Sequence, residues 1–258
     1  MKTSILIAQI RIVPEKGNLE GNHEKLMSIL SDLTKCDVDV VVTPECFLDG
    51  YVSTEDGMNS DNIRDYAIDP SDSPYVNSLS AWARQHSAWI VLGCSRLSPE
   101  GVYNTALLID RKGNLIGSYD KTHCQTYDKK YVPGQKIAAF DSDFGPFGVM
   151  ICADRRWPET VRSLALQGAR VIFNPTYGMH NEHNLRMMQT RSYESEVFIA
   201  FTHPFQSLLT DPSGEIVCND TREDAFFSLT KIDLSQVDEV RARDSAHLKD
   251  RRPELYSG

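Results

Sequence analysis

Gly148-Val-Met-Ile-Cys152-Ala-Asp-Arg-Arg-Trp-Pro158-Glu159 is the stretch on which the fold turns. An apolar run stops at a cysteine, a charged cluster follows at once, and Pro158 opens a new helical pattern. Proline suits the first position of a helix because it has no N–H to leave unpaired there. The segment therefore reads as a strand that ends at Cys152 and turns into a helix. In open α/β sheets, ligands bind in the crevice beyond the carboxyl ends of the strands, so the thiol would stand at the mouth of such a crevice. A nearby helix start and the guanidinium groups of Arg155 and Arg156 are expected to favour the thiolate over the thiol. These are the surroundings of a nucleophile, and they predict an α/β enzyme.

The same alternation continues outward in both directions. Toward the N-terminus, residues 3–10 read as a buried strand. Residues 19–34 read as a helix, with Leu19, Leu26, Ile29, Leu30 and Leu33 at near-helical spacing. Residues 38–43 read as a second buried strand stopped by Pro44. Residues 50–71 are polar and without pattern, and are expected to be loops. A helix is predicted over 72–87, and strands over 88–95, 102–110 and 115–120. Arg111-Lys-Gly-Asn114 joins the last two as a hairpin. A loop over 122–137 then leads to the strand at 146–152.

Toward the C-terminus, a helix over 158–167 is closed by Gly168. A strand over 171–175, a helix over 184–196 and a strand over 197–203 follow. Asp211-Pro-Ser-Gly214 marks a second hairpin, and 226–232 a last strand. The two hairpin turns are alike, which hints at internal pseudo-symmetry. With no linker or low-complexity stretch, residues 1–258 are expected to form one domain.

The bulk numbers exclude several classes. The chain has 258 residues, 41% hydrophobic and 24% charged, as in ordinary soluble domains. A formal charge of -9 argues against a nucleic-acid partner. There is no basic run to seek a membrane surface, no apolar stretch near the ~20 residues of a membrane span, and no signal-peptide core at the start. The six cysteines contain no Cys-x-x-Cys pair, which fits neither a zinc site nor a dense disulfide framework. Reduced thiols, a cytoplasmic location and no metal are expected.

Glu45, Lys121 and Cys152 share one structural address, each directly after a predicted strand. Converging there, they would make a hydrolytic site. Cys152 would attack, Glu45 would take its proton and later activate water, and Lys121 would face the developing oxyanion beside a backbone N–H. Singly, each has an ordinary reading: a small buried hydrophobe, a solvated strand end, a surface charge. Jointly, those readings are poor.

The local sequences carry a resemblance. Thr43-Pro-Glu45-Cys-Phe-Leu-Asp-Gly-Tyr51, Tyr119-Asp-Lys121-Thr-His123 and Ile151-Cys152-Ala-Asp-Arg-Arg-Trp-Pro-Glu159 occur in this order. Together they resemble the three signature blocks of the nitrilase superfamily of carbon–nitrogen hydrolases. The resemblance spans essentially the whole chain. It takes in Gln9, Asn174-Pro175, Arg191-Ser-Tyr-Glu194 and Arg251-Arg-Pro-Glu-Leu-Tyr256. It implies a four-layer α-β-β-α sandwich, commonly paired as a homodimer or larger homo-oligomer. It also implies hydrolysis of a non-peptide C–N bond in a small amide, carbamoyl compound or nitrile, without metal or organic cofactor.

By the same resemblance, Cys152 would form an acyl-enzyme with Glu45 as acid and base and Lys121 holding the tetrahedral adduct. Many family members carry a second glutamate shortly before the Pro-Gly that follows the lysine block. Here Gln125-Thr-Tyr-Asp128-Lys-Lys-Tyr-Val-Pro133-Gly134 has none, and Asp128 is the nearest candidate, one methylene shorter. Either the loop comes closer or the role is weakened.

The cysteine block is most similar to that of the N-carbamoyl-D-amino-acid amidohydrolases, where an arginine pair helps bind the substrate carboxylate. Carried over, Arg155 and Arg156 would do so here, as guanidinium grips carboxylate bidentately. The alternative for each arginine is an internal role, against Asp154 or Glu159. His123 matches the family's histidine near the lysine, and Asn174 a pocket asparagine. Tyr51 and Asp49 either line the pocket or shape the turn at Gly50.

Two departures stand against this branch: the short segment 175–183, and Ala153 where the carbamoylases have Asn. A general aliphatic amidase or ω-amidase is the alternative. A nitrilase is disfavoured, because true nitrilases usually place Trp-Glu after the cysteine. The missing second glutamate alone invites a third reading, a binding or scaffold module with a vestigial site. His180, His183 and His203 lack metal spacing and are read as surface or core residues.

Overall fold

Short runs of valine, isoleucine and phenylalanine bounded by turn residues build two sheets in the computed structural model, which describes residues 2–256. The first half of the chain supplies β1 (Ser4–Ile10), α1 (Leu19–Leu33), β2 (Val40–Val42), α2 (Pro74–His86), β3 (Trp89–Ser98), β4 (Gly101–Ile109) and β5 (Leu115–Asp120). The second half supplies β6 (Phe147–Val149), α3 (Pro158–Leu166), β7 (Val171–Pro175), α4 (Glu182–Ser195), β8 (Phe198–His203), β9 (Gln206–Thr210) and β10 (Ile216–Asp220). Then β11 (Phe227–Asp233) returns to pair antiparallel with β1, and α5 (Ser235–Arg241) follows.

The two halves repeat one another. Strands β1, β2 and β3 run parallel, then β4 and β5 turn back antiparallel. Strands β6, β7 and β8 run parallel, then β9 and β10 turn back in the same way. The hairpin turns match atom for atom. Asp110 Oδ1 accepts from the backbone N–H of Lys112 and Asn114, both at 2.8 Å. Asp211 Oδ1 accepts from Ser213 and Glu215 at 2.8 and 2.9 Å. The pseudo-symmetry hinted at by two turn sequences thus extends to both sheets.

Three apolar cores define four layers. Ile5, Ile7, Val40, Val42, Val91 and Leu108 of one sheet meet Phe147, Val149, Val171, Phe173 and Phe198 of the other. On the outer face of the first sheet, Leu26, Ile29, Leu30 and Leu33 of α1 and Val76, Leu79 and Trp82 of α2 cover Ala8, Val41 and Ile90. On the outer face of the second, Val161 and Leu164 of α3 and Met188 of α4 cover Ile172, Ile199 and Phe201. Each fully buried Leu or Ile contributes roughly 1.5–3 kcal/mol. The result is an α-β-β-α sandwich. No helix of the described residues is long and apolar enough to cross a membrane.

The structure departs from the sequence reading in places that shape the crevice. The strand predicted over 146–152 pairs only over Phe147–Val149. Beyond it, Cys152–Arg156 forms a 3-10 turn before α3 begins at Pro158. The thiol is therefore separated from the helix start, which removes the helix dipole from the argument for a thiolate. The region 50–71 holds two short 3-10 turns, Val52–Thr54 and Asn62–Tyr66. Helix α4 starts two residues early because the Asn181 side chain caps it. Helix α5 was not anticipated; its buried apolar residues are only Val237 and Val240.

One glycine fixes the position of the Glu45 turn. A Cβ on Gly93 would lie 2.2 Å from the Pro44 carbonyl oxygen. Its absence lets β3 touch the backbone leaving β2, where Gly93 N–H donates to Thr43 Oγ1 at 2.8 Å.

Candidate active site

Glu45, Lys121 and Cys152 meet beyond the strand ends, although none of them lies in the pattern of its strand. Lys121 is buried, and its Nζ donates to Glu45 Oε1 at 2.6 Å and to Asp128 Oδ2 at 2.5 Å. Asn104 of β4 sits beneath the two carboxylates, with Nδ2 2.9 Å from Glu45 Oε1 and 3.3 Å from Asp128 Oδ1. The Tyr51 hydroxyl donates to Asp128 Oδ1 at 2.7 Å, and the Tyr177 N–H to Glu45 Oε2 at 3.0 Å. The loop carrying Asp128 has thus come close enough for the shorter side chain to reach, as a 3-10 turn over Thr126–Lys130.

Electrostatics follow from this burial. Burial works against the Lys121 ammonium, but Glu45, the Cys152 sulfur and Asp128 outweigh it, so Lys121 is held well above its ordinary value. Burial raises Glu45 above the usual carboxylate range, Lys121 draws it back, and Asp128 raises it again. Burial, then the Glu45 charge, pushes the Cys152 thiol above its ordinary value; Lys121 and Arg155 oppose this without cancelling it. The net direction favours the thiol, so the pull of Arg155 toward the thiolate is present but burial outweighs it. An adjacent base is then needed to ionise the thiol.

Cys152 adopts a left-handed backbone, φ +43°. That conformation costs a non-glycine residue about 1–2 kcal/mol and must be held by its surroundings. Asp154 holds it. The buried Asp154 carboxylate accepts from Ile151 N–H at 2.9 Å and from the Tyr119 hydroxyl at 2.8 Å. Its other oxygen takes the His123 N–H at 2.9 Å and the Thr122 hydroxyl at 3.0 Å. One side chain therefore ties the residue before Cys152 to both flanks of Lys121. Asp154→Ala would leave several buried donors unpaired, at ~1–3 kcal/mol each. A stability loss of about 3–5 kcal/mol is expected in denaturant unfolding, with Asp154→Asn costing less.

The remaining sequence candidates separate. Arg155 is buried against Cys152: Nη1 lies 3.5 Å from Sγ, Nε donates to Asn184 Oδ1 at 2.6 Å, and Nη2 to the Met179 carbonyl at 2.6 Å. Arg156 is exposed and donates to Gln125 Oε1 at 2.9 Å. The two arginines do not form a pair, and neither pairs with Asp154 or Glu159 among the bonds described. His123 stacks on Trp157 at 4.1 Å, with Nδ1 2.7 Å from Asp154. Asn174 is buried; its Nδ2 donates to the Met150 carbonyl at 3.0 Å, while its Oδ1 has no hydrogen-bond partner among the described residues.

Sequence reasoning passed over Asn104, Tyr177, Gly178 and Asn184, and gave His203 only a surface or core role. Gly178 borders the sulfur itself. His203 Nε2 lies 3.1 Å from the Tyr177 carbonyl. Asn104 had a signal, as an amide inside a strand, β4, that is otherwise mostly apolar. In the sequence, Asp154 stands out only as a neighbour of the arginines.

Comparison with known proteins bears on the family and the fold. A family model described as carbon-nitrogen hydrolase matches residues 6–242. A nitrilase of Pyrococcus abyssi is 27% identical, over 98% of this chain and 99% of its own length. The omega-amidase NIT3 of Saccharomyces cerevisiae is 28% identical, over 84% and 83%. The crystal structure of Saccharomyces cerevisiae Nit3, a member of branch 10 of the nitrilase superfamily, superposes with a TM-score of 0.85 at 23% identity. That superposition covers 97% of this chain and 98% of the other, and it bears on the fold alone.

Proposed function

We propose that this chain, which belongs to the carbon–nitrogen hydrolase family, hydrolyses the C–N bond of a small amide or N-carbamoyl compound through an acyl-enzyme on Cys152. The observation that carries the reading is the buried Lys121 ammonium clamped between the Glu45 and Asp128 carboxylates. No folding purpose requires that arrangement, since a buried ion pair is weak evidence for stability.

In the proposed cycle, Glu45 takes the thiol proton and Sγ attacks the carbonyl carbon. The carbonyl oxygen becomes an oxyanion facing Lys121 and a backbone N–H after the cysteine. The C–N bond breaks as Glu45 returns the proton to the departing nitrogen. Water then attacks the thioester, giving its proton to Glu45. The acid product leaves, and the thiolate recovers its proton from Glu45. Asp128, Tyr51 and Asn104 keep Lys121 and Glu45 oriented throughout.

The finer reading is a substrate that carries a carboxylate near the scissile carbonyl. Arg155 supports it, because Nη1 beside Sγ stands within the few ångströms that separate adjacent functional groups of an N-carbamoyl amino acid. Arg156, His123 and Asn174 would border the same pocket. The similarity to an omega-amidase supports the alternative of a dicarboxylate ω-amide. We extend the proposal to a cytoplasmic homo-oligomer. Six free cysteines suit a reducing compartment, and the exposed Leu166 and Tyr193 on α3 and α4 offer apolar area.

Ammonia release by wild type and Cys152→Ala tests the reading. The panel holds N-carbamoyl amino acids of both hands, simple amides, ω-amides and nitriles. Turnover by wild type alone is expected, with the best substrate bearing a carboxylate. Equal turnover by Cys152→Ala would exclude the nucleophile. A preference for uncharged amides would exclude the carboxylate.

A further inference from the structure

The segment Tyr177-Gly178-Met179 lies over the nucleophile, and its glycine is unexplained by backbone conformation. Gly178 is absent from the positive-φ residues, so its φ excludes no side chain. Apart from its chain neighbours Tyr177 and Met179, a Cβ built there meets one atom within 4 Å, Cys152 Sγ at 3.1 Å. The space that a side chain at 178 would take is therefore bordered by the sulfur, and a carbon under attack on that side of Sγ would use it.

The segment cannot easily retreat. The Tyr177 N–H is bonded to Glu45 Oε2, and the Met179 carbonyl takes Arg155 Nη2 at 2.6 Å. The Tyr177 carbonyl lies 3.1 Å from His203 Nε2, while His203 Nδ1 accepts the Phe205 N–H at 3.1 Å. That second contact requires the tautomer in which Nε2 carries the proton and donates to Tyr177. The Tyr177 ring also meets Tyr51 edge-on at 5.6 Å. The same three residues thus touch the base, the arginine and the thiol.

We propose that Gly178 is a specificity-determining residue: its missing side chain sets the clearance over Cys152, and so the bulk allowed on the carbon next to the scissile carbonyl. This rests on Cys152 as the attacking group. A methyl at position 178 would narrow the approach for every substrate, and most for those branched at that carbon.

The test uses Gly178→Ala in the full chain, with two readouts. The first is the rate of Cys152 alkylation by iodoacetamide and by its branched homologue 2-iodopropanamide, read by peptide mass. The iodide leaves as the thioether forms, so no hydrolytic activity is needed. Gly178→Ala is expected to slow iodoacetamide at least tenfold and to raise the unbranched-to-branched rate ratio further. The second is Tm in the wild-type and Cys152→Ala backgrounds. Any Tm cost of the added methyl is expected to vanish when the sulfur is removed. Wild-type alkylation rates with both reagents would overturn the proposal. So would an equal Tm loss in both backgrounds, which would mean that Gly178 packs against the fold instead. If wild type hydrolysed no amide while these shifts appeared, the functional reading would fall and the clearance would stand.

Discussion

Lys121→Met is expected to abolish turnover and to destabilise the chain, with both effects depending on pH. The ammonium bonds two buried carboxylates, Glu45 and Asp128, and has no other charge partner among the described ion pairs. Removing it strands both. Breaking a buried pair from one side costs ~3–5 kcal/mol, because the uncompensated charge remains buried. The chain would relieve that cost by taking up a proton. Burial already raises Glu45, and Lys121 is the main group drawing it back. Without Lys121 its folded pKa rises further above the unfolded value.

The sign then follows. A carboxyl raised in the folded state binds a proton that the unfolded chain has lost, so stability falls as pH rises across that interval. The deficit of Lys121→Met relative to wild type should be largest near neutral pH and shrink toward pH ~5. Activity loses twice. One oxyanion donor is worth ~10²–10³ in rate, and a general base ~10²–10⁴. A base that rests protonated cannot act, so kcat/KM should fall by more than about 10³-fold. Urea unfolding at two pH values and initial rates check both parts. A variant as stable as wild type at neutral pH would mean that the clamp is not a buried ion pair.

The three candidate groups were legible in the sequence because Glu45 and Cys152 follow apolar runs and Lys121 follows the second strand of a hairpin, so that each stands at a strand end. Asp128 was legible only as the nearest acid to a gap, since nothing in the chain says how closely its loop approaches. Asn184, Tyr177 and His203 arrive from a helix, a loop and a strand end far along the chain, and no local pattern ties them to Cys152. Arg155 and Arg156 are separated for a different reason. Read as one clamp, they face opposite environments. Cys152–Arg156 is a 3-10 turn, and three residues per turn set successive side chains about 120° apart. The four-layer sandwich itself came from the resemblance, since the order of strands and helices alone gave only strand–helix–strand units interleaved with hairpins. The short β6 did not, because Met150 and Ile151 are as apolar as a strand and yet leave the sheet for the turn that Asp154 fastens.

Glu45→Gln should separate the two roles that the site gives to charge. The wild-type thiol is raised above its ordinary value, first by burial and then by Glu45 itself. The carboxylate thus keeps the proton on sulfur at rest and accepts it during attack. Glutamine removes the base, and hydrolysis should fall by about 10²–10⁴-fold, the usual worth of general acid–base catalysis. It also removes the charge that opposes the thiolate, while Lys121 and Arg155 remain to favour it. The Cys152 pKa should therefore drop relative to wild type. Alkylation by iodoacetamide consumes the thiolate directly and needs no base, so its rate at a fixed pH near 8 should hold or rise. The expected result is divergence: turnover lost, thiol reactivity kept. In wild type, the acid limb of kcat/KM should lie above the ordinary carboxylate range, because Glu45 is raised and activity requires its ionised form. Parallel loss of hydrolysis and alkylation in Glu45→Gln would instead make Glu45 a support for the fold around the sulfur, and would place the base elsewhere.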